Sequence, residues 1–127
     1  MKITILLIML FLHIVDDYYL QGPLAKFKQK SWWEDNYPDE MYKHDYFIAL
    51  LTHAFSWTFV IMIPIIVKMI MYGDYSYEKR YLFCFLMNWV VHATIDHIKA
   101  NKKVISLTTD QTAHVIQIIF TWAFFFV

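Results

Sequence analysis

Four runs of apolar residues, at about positions 3–21, 46–72, 80–98 and 111–127, dominate this 127-residue chain. Each approaches or exceeds the roughly 17–25 residues that carry an α-helix across a bilayer. Hydrophobic residues make up 59% of the chain and there are only two glycines, so little sequence remains for anything but these helices and their connections. The pattern predicts an all-α fold: one domain over residues 1–127, a polytopic membrane four-helix bundle of up-down-up-down topology. The formal net charge is zero and the charges sit in the connections. Nucleic acid is not an expected partner; the lipid bilayer is.

Met1 and Lys2 followed by Ile3 to Leu12 have the look of a secretory signal, but no small-residue cleavage site follows. The run continues into His13, Asp16 and Asp17, so it reads as the first helix. That helix ends near Gln21, where Gly22-Pro23 breaks the pattern. The connection at 22–45 is the only long one. It begins basic with Lys26, Lys28 and Lys30, passes Trp32 and Trp33, and turns acidic through Glu34, Asp35, Asp39 and Glu40. Lysines beside aromatics suit an interfacial anchor attracted to headgroups, with a substrate lid as the alternative. Gly73-Asp74 makes the second turn, and Thr108-Thr109-Asp110 looks like a capped helix start. Cys84 is the only cysteine, which leaves it a packing role. Loops 22–45 and 99–110 hold seven lysines against four basic residues on the opposite side. The positive-inside rule therefore places both loops in the cytoplasm, with the chain multi-pass in the inner membrane.

The polar residues inside the runs carry the chemistry. His13 and Asp17 lie at the end of the first helix, His53 in the first third of the second, His92 and Asp96 at the end of the third, and Asp110 and His114 at the start of the fourth. In an up-down-up-down bundle all seven fall at one depth, on the side of loops 22–45 and 99–110. Three of the helices carry a histidine and an aspartate four residues apart, a spacing that stacks both on one face. An aspartate facing lipid costs about 2.5–3.5 kcal/mol on an insertion scale, so these residues are expected to face one another. Imidazole and carboxylate suit a divalent metal, zinc first, with manganese or iron as alternatives. Seven ligands exceed the four of a closed zinc site, which implies two ions or some residues that only orient the others. Gln21, Asn88, Lys99, Gln111 and Gln117 continue the same stripes and are expected to support the ligands; Asp16 points elsewhere on an ideal helix and is left out. His44 and His97 read as packing residues.

The series His13-Ile14-Val15-Asp16-Asp17-Tyr18-Tyr19-Leu20-Gln21, the isolated His53, His92-x-x-x-Asp96-x-x-Lys99 and Asp110-Gln111-x-x-His114 resembles the small bacterial and phage integral membrane proteins of the domain of unknown function 3307 family. The likeness runs in order over nearly the whole chain, and Gln21 to Lys28 resembles that family's segment after its first helix. The 22–43 connection with its two tryptophans is longer than the family's. A more distant resemblance to membrane-bound metal-dependent hydrolases is an analogy of site, not of fold.

Three functions follow as expectations. In the first, the chain is a metal-dependent hydrolase of a phosphoester or lipid-like substrate at the cytoplasmic face, with Asp17, Asp96 and Asp110 as catalytic carboxylates. The basic loop would attract an anionic lipid headgroup. In the second, it is a non-enzymatic phage or bacterial membrane protein acting on a partner. In the third, the same residues move a metal ion or a proton, which requires polar residues through the full depth of the bundle; Ile61 to Val67 and Phe83 to Met87 are apolar. Oligomeric state is left open.

Overall fold

Leucine, isoleucine, methionine and phenylalanine fill the four runs without a glycine, and the punctuation lies at their ends. A computed structural model describes residues 1–127 and is all-helical. Its six α-helices are α1 (Lys2–Val15), α2 (Leu24–Phe27), α3 (Lys30–Asn36), α4 (Asp45–Tyr72), α5 (Glu78–His97) and α6 (Leu107–Phe126). The four long ones match the apolar runs to within a few residues. The long connection contains helices: α2, α3 and a short 3₁₀ turn at Glu40–Tyr42 fold it over one end of the molecule.

Chain ends and turns follow local chemistry. Gly73 takes a left-handed conformation (φ 60°) after α4, and the amides of Gly73 and Asp74 bond the carbonyls of Ile70 and Met69. This paired closure is the Schellman pattern, for which glycine is the natural residue. Asp74 then accepts from the Ser76 hydroxyl and amide, which together hold its carboxyl below the usual carboxylate value. Helix α6 starts earlier than the Thr108-Thr109-Asp110 reading expects. Ser106 is the cap, accepting from the Thr109 amide at 3.1 Å, and Asp110 lies within the first turn.

Helices α1 and α5 each run on into a five-residue π-helical turn, Asp16–Leu20 and Ile98–Lys102. Such wide turns occur at functional positions and advance less per residue than an α-helix. In α1 that spacing carries the neighbours Asp16 and Asp17 inward together, 1% and 8% exposed.

The helix ends fix the direction of the chain. Lys2 Nζ donates to the Phe126 carbonyl, Trp122 Nε1 to the Lys2 carbonyl at 2.9 Å, and Tyr72 lies against Met1. The start of α1 thus meets the ends of α4 and α6, so both run against it. At the other end Asn101 clamps the connection, accepting from the Lys30 amide at 2.7 Å and donating to the Lys28 carbonyl at 3.1 Å. Helix α4 packs most extensively on α5 and α1.

The interior divides into two halves. Toward the chain termini, ten buried residues that include Met9, Trp57, Ile61, Met62, Ile65 and Ile118 form an apolar core. Cys84 belongs to it, in the packing role expected. The other half is polar. Outward-facing residues reverse the usual order: Leu7, Phe11, Phe59, Phe83, Val90 and Phe120 are all exposed, an arrangement soluble domains avoid in large patches. Two segments, Lys2–Leu20 and Glu40–Tyr72, are long and apolar enough to cross a membrane. The expectation of four such segments is met by two; α5 and α6 have 20 residues each, but the polar residues that build the site lower their apolar content.

Candidate metal centre

Eight polar side chains meet in the polar half. His13 and the aspartates Asp16 and Asp17 come from the end of α1 and its π-turn, His53 from α4, His92 and Asp96 from α5, and Asp110 and His114 from α6. All are buried; His53, His92 and His114 are fully so. The alternating direction of the long helices puts the end of α1 and α5 beside the start of α4 and α6, which brings the seven expected residues to one depth.

His53 Nε2 is the centre of the tightest group. It lies 3.3 Å from His92 Nε2, 3.4 Å from Asp17 Oδ1 and 3.4 Å from Asp96 Oδ2. His92 Nε2 stands 3.7 Å from the same Asp96 oxygen. Four ligands at 2.0–2.1 Å around a tetrahedral ion are separated by about 3.3–3.4 Å, so each of three neighbouring ligand atoms stands at about that edge length from His53 Nε2. A second group forms on the other side of Asp96, whose Oδ1 is 3.4 Å from His114 Nε2. His114 Nε2 is also 3.4 Å from Asp110 Oδ1, and His114 Nδ1 is 3.1 Å from His92 Nδ1. Asp96 thus turns one oxygen toward each group. These buried His/Asp groups could hold a metal ion: the candidate ligand atoms of Asp17, His53 and His92, and of His92, Asp96 and His114, lie within 4.8 Å of one another.

Unpaired atoms point the same way. Asp110 Oδ1 and His114 Nε2 are buried without a hydrogen-bond partner, whereas buried polar atoms are ordinarily satisfied. Charge does too. Asp16, Asp17, Asp96 and Asp110 bring four carboxylates, and only two ammonium groups answer them: Lys28 Nζ at 2.6 Å from Asp96 Oδ2 and Lys99 Nζ at 2.7 Å from Asp110 Oδ2.

No family model, curated protein or solved structure matches this chain. The site is therefore read from its own atoms.

His13 is a correction to the ligand set. The Trp57 indole donates to its Nδ1 at 2.8 Å, so that nitrogen bears no proton and its lone pair is taken. Its Nε2 then donates to Gln111 Oε1 at 3.1 Å. The Gln111 amide nitrogen turns to Asp17 Oδ2 and Asp110 Oδ2, at 3.2 and 3.1 Å, which fixes which way the amide faces. His13 and Gln111 thus orient two carboxylates, and neither ring nitrogen of His13 is free for an ion. Lys99 donates to Asp110 Oδ2, the oxygen that Gln111 also reaches. Gln21 bonds the Asp17 backbone carbonyl instead of a side chain. Asn88 and Gln117 are corrected as well: one turn away from His92 and His114, they bond each other at 2.8 Å and Thr121 at 2.8 Å, in a cluster of their own.

Four participants escaped the sequence reading. Asp16 faces His53 Nδ1 at 3.7 Å and accepts from the Ser56 hydroxyl at 2.8 Å; only the π-turn brings it inward. Ser56 and Trp57 follow His53 by three and four residues, the helical spacing that marks the same face. Trp57 stacks on His92 with ring centroids 4.1 Å apart, closing the floor of the site. Lys28 is reached only through the fold of the connection. His97 packs on Tyr46, as expected.

A cavity of about 330 Å³ opens over the group, lined among others by Asp17, Asp96, Asp110, Lys28, Lys99 and Gln111.

Proposed function

We propose that this chain is a polytopic four-helix membrane protein with a His/Asp metal centre near its cytoplasmic face, acting as a metal-dependent hydrolase of a phosphoester. The observation that carries the reading is the set of three distances around His53 Nε2, each that of a tetrahedral edge, beneath a cavity that also holds two lysines. The apolar outer faces of all four long helices support placement in a bilayer, and the wealth of lysine in the two loops beside the site supports the cytoplasmic orientation. The resemblance to the domain of unknown function 3307 family belongs to the same proposal.

His53, His92, Asp17 and Asp96 would hold the ion, with Asp96 Oδ1 and His114 offering a second place. A bound divalent ion of the zinc, manganese or iron type polarises a phosphoryl oxygen and acidifies water. A divalent ion on Asp96 Oδ2 would repel the Lys28 ammonium now 2.6 Å from that oxygen and would turn it toward the cavity. There Lys28 and Lys99 would pair with the substrate's phosphoryl oxygens. Asp110 Oδ1, buried and unpaired at the cavity wall, is the group to accept a proton from the attacking water. Asp16 would hold His53 through Nδ1, as carboxylates behind ligating imidazoles do.

Transport is less well supported. A relay across the chain would have to pass Met9, Trp57, Ile61, Met62 and Ile118, each fully buried in apolar packing.

The direct test reconstitutes the full chain in nanodiscs and follows phosphate release from methyl phosphate with added Zn²⁺ or Mn²⁺. The proposal expects metal-dependent release that Asp110→Asn abolishes while metal binding persists. Metal binding without release in any variant would leave a non-enzymatic metal protein, and release unaffected by chelation would overturn the metal's role.

A further inference from the structure

The polar cavity does not end at the site. A second hollow of about 680 Å³ runs down the outside of the molecule between α1 and α6, lined by Leu10, Ile14 and Val115 and mostly apolar. Tyr18, Tyr19 and Gln111 border both hollows. One end is therefore built of lysines and carboxylates and the other mainly of aliphatic side chains, with His13 among them and two tyrosines at the join. From Tyr18 to Leu10 the apolar part follows about two turns of α1, roughly 12 Å at the helical rise. Its mouth shares the outer surface with exposed Phe11 and Ile14, the surface that meets acyl chains if the chain spans a bilayer.

We propose that the site takes a phosphate-headed membrane lipid, its headgroup in the cavity between Lys28 and Lys99 and its hydrocarbon chain in the groove between α1 and α6. This deepens the hydrolase reading and rests on the same cavity. A water-soluble phosphoester would use the polar end alone and leave the groove without an occupant. A lipid alcohol would fill the groove and leave both ammonium groups without a counter-ion beyond the aspartates. With a divalent ion offsetting the carboxylates, an amphiphile with an anionic head matches both ends at once. The tyrosines suit the boundary, since aromatic rings with a polar edge settle where headgroup meets chain.

The probe is dodecyl phosphate carrying a diazirine near its methyl end, with the corresponding diazirine dodecanol as control. Both are added to the full chain in nanodiscs with Zn²⁺, irradiated, and the labelled residues mapped by mass spectrometry. The proposal expects labelling of the Leu10–Ile14 segment and of Val115, roughly tenfold stronger for the phosphate than for the alcohol. Filling the groove by Val115→Trp, or by Ile14→Trp should the first fail to fold, removes that preference. Equal labelling by both probes, or labelling spread over other outer residues such as Phe83 and Phe124, overturns it. The wild-type comparison alone decides, so folding of a variant is not needed. Labelling does not depend on turnover: groove labelling without phosphate release from methyl phosphate refutes the hydrolase reading only. Release without groove labelling refutes the lipid only.

Discussion

Replacing Lys28 by methionine keeps most of the side chain's apolar stem and removes one of the two positive charges that face the aspartates. The pair it breaks is shielded: Lys28 and Asp96 are 14% and 5% exposed at 2.6 Å. Removing one partner from such a pair costs about 3–5 kcal/mol, because the remaining charge stays buried without compensation. That penalty falls on the metal-free protein. With a divalent ion on Asp96 Oδ2 the carboxylate is compensated again, so the metal-bound variant is close to wild type in stability. The cycle then requires tighter metal binding in Lys28→Met, by roughly 100-fold or more at 1.4 kcal/mol per decade. The assay is unfolding of the chain in nanodiscs, followed by tryptophan fluorescence across a Zn²⁺ or Mn²⁺ titration. Lys28→Arg, which keeps a cation on Asp96, should resemble wild type. A metal-free Lys28→Met as stable as wild type, or a variant that binds metal no better, would refute the claim that ion and ammonium compete for Asp96.

Other expectations separate ligands from supports. His13→Ala leaves the Trp57 indole and Gln111 without their partner and should lower stability by about 1–3 kcal/mol, yet retain the wild-type metal stoichiometry in elemental analysis. Asp16→Asn removes the carboxylate behind His53 and should weaken metal affinity by about 10–100-fold with the ion count at saturation unchanged. Asn88→Leu, in the separate cluster with Thr121 and Gln117, should change stability by about 1–2 kcal/mol at most and leave metal affinity alone.

The long helices were legible because a run of apolar residues needs only length and composition to be read, and seven polar residues in those runs shared one depth once the helices alternated. What sequence periodicity could not show came from departures from the ideal helix and from tertiary folding. Asp16 looks outward at 100° per residue, and the π-turn at Asp16–Leu20 brings it in beside Asp17. Lys28 lies 68 residues from Asp96 along the chain, and only α2, α3 and the Asn101 clamp place it there. His13 matched the ligand pattern in spacing, but the hydrogen bonds of Trp57 and Gln111 decide its role, and those depend on which side chains face it from α4 and α6. Asn88 and Gln117 likewise sit on the right stripes but one turn too deep.

The most direct test of the centre is metal content together with X-ray absorption on the full chain purified in nanodiscs. The account predicts at least one tightly held divalent ion per chain, with nitrogen and oxygen neighbours at about 2.0–2.2 Å, lost in Asp96→Asn and retained in His13→Ala. A chain that takes up no stoichiometric ion, and whose stability a chelator leaves unchanged, would contradict it.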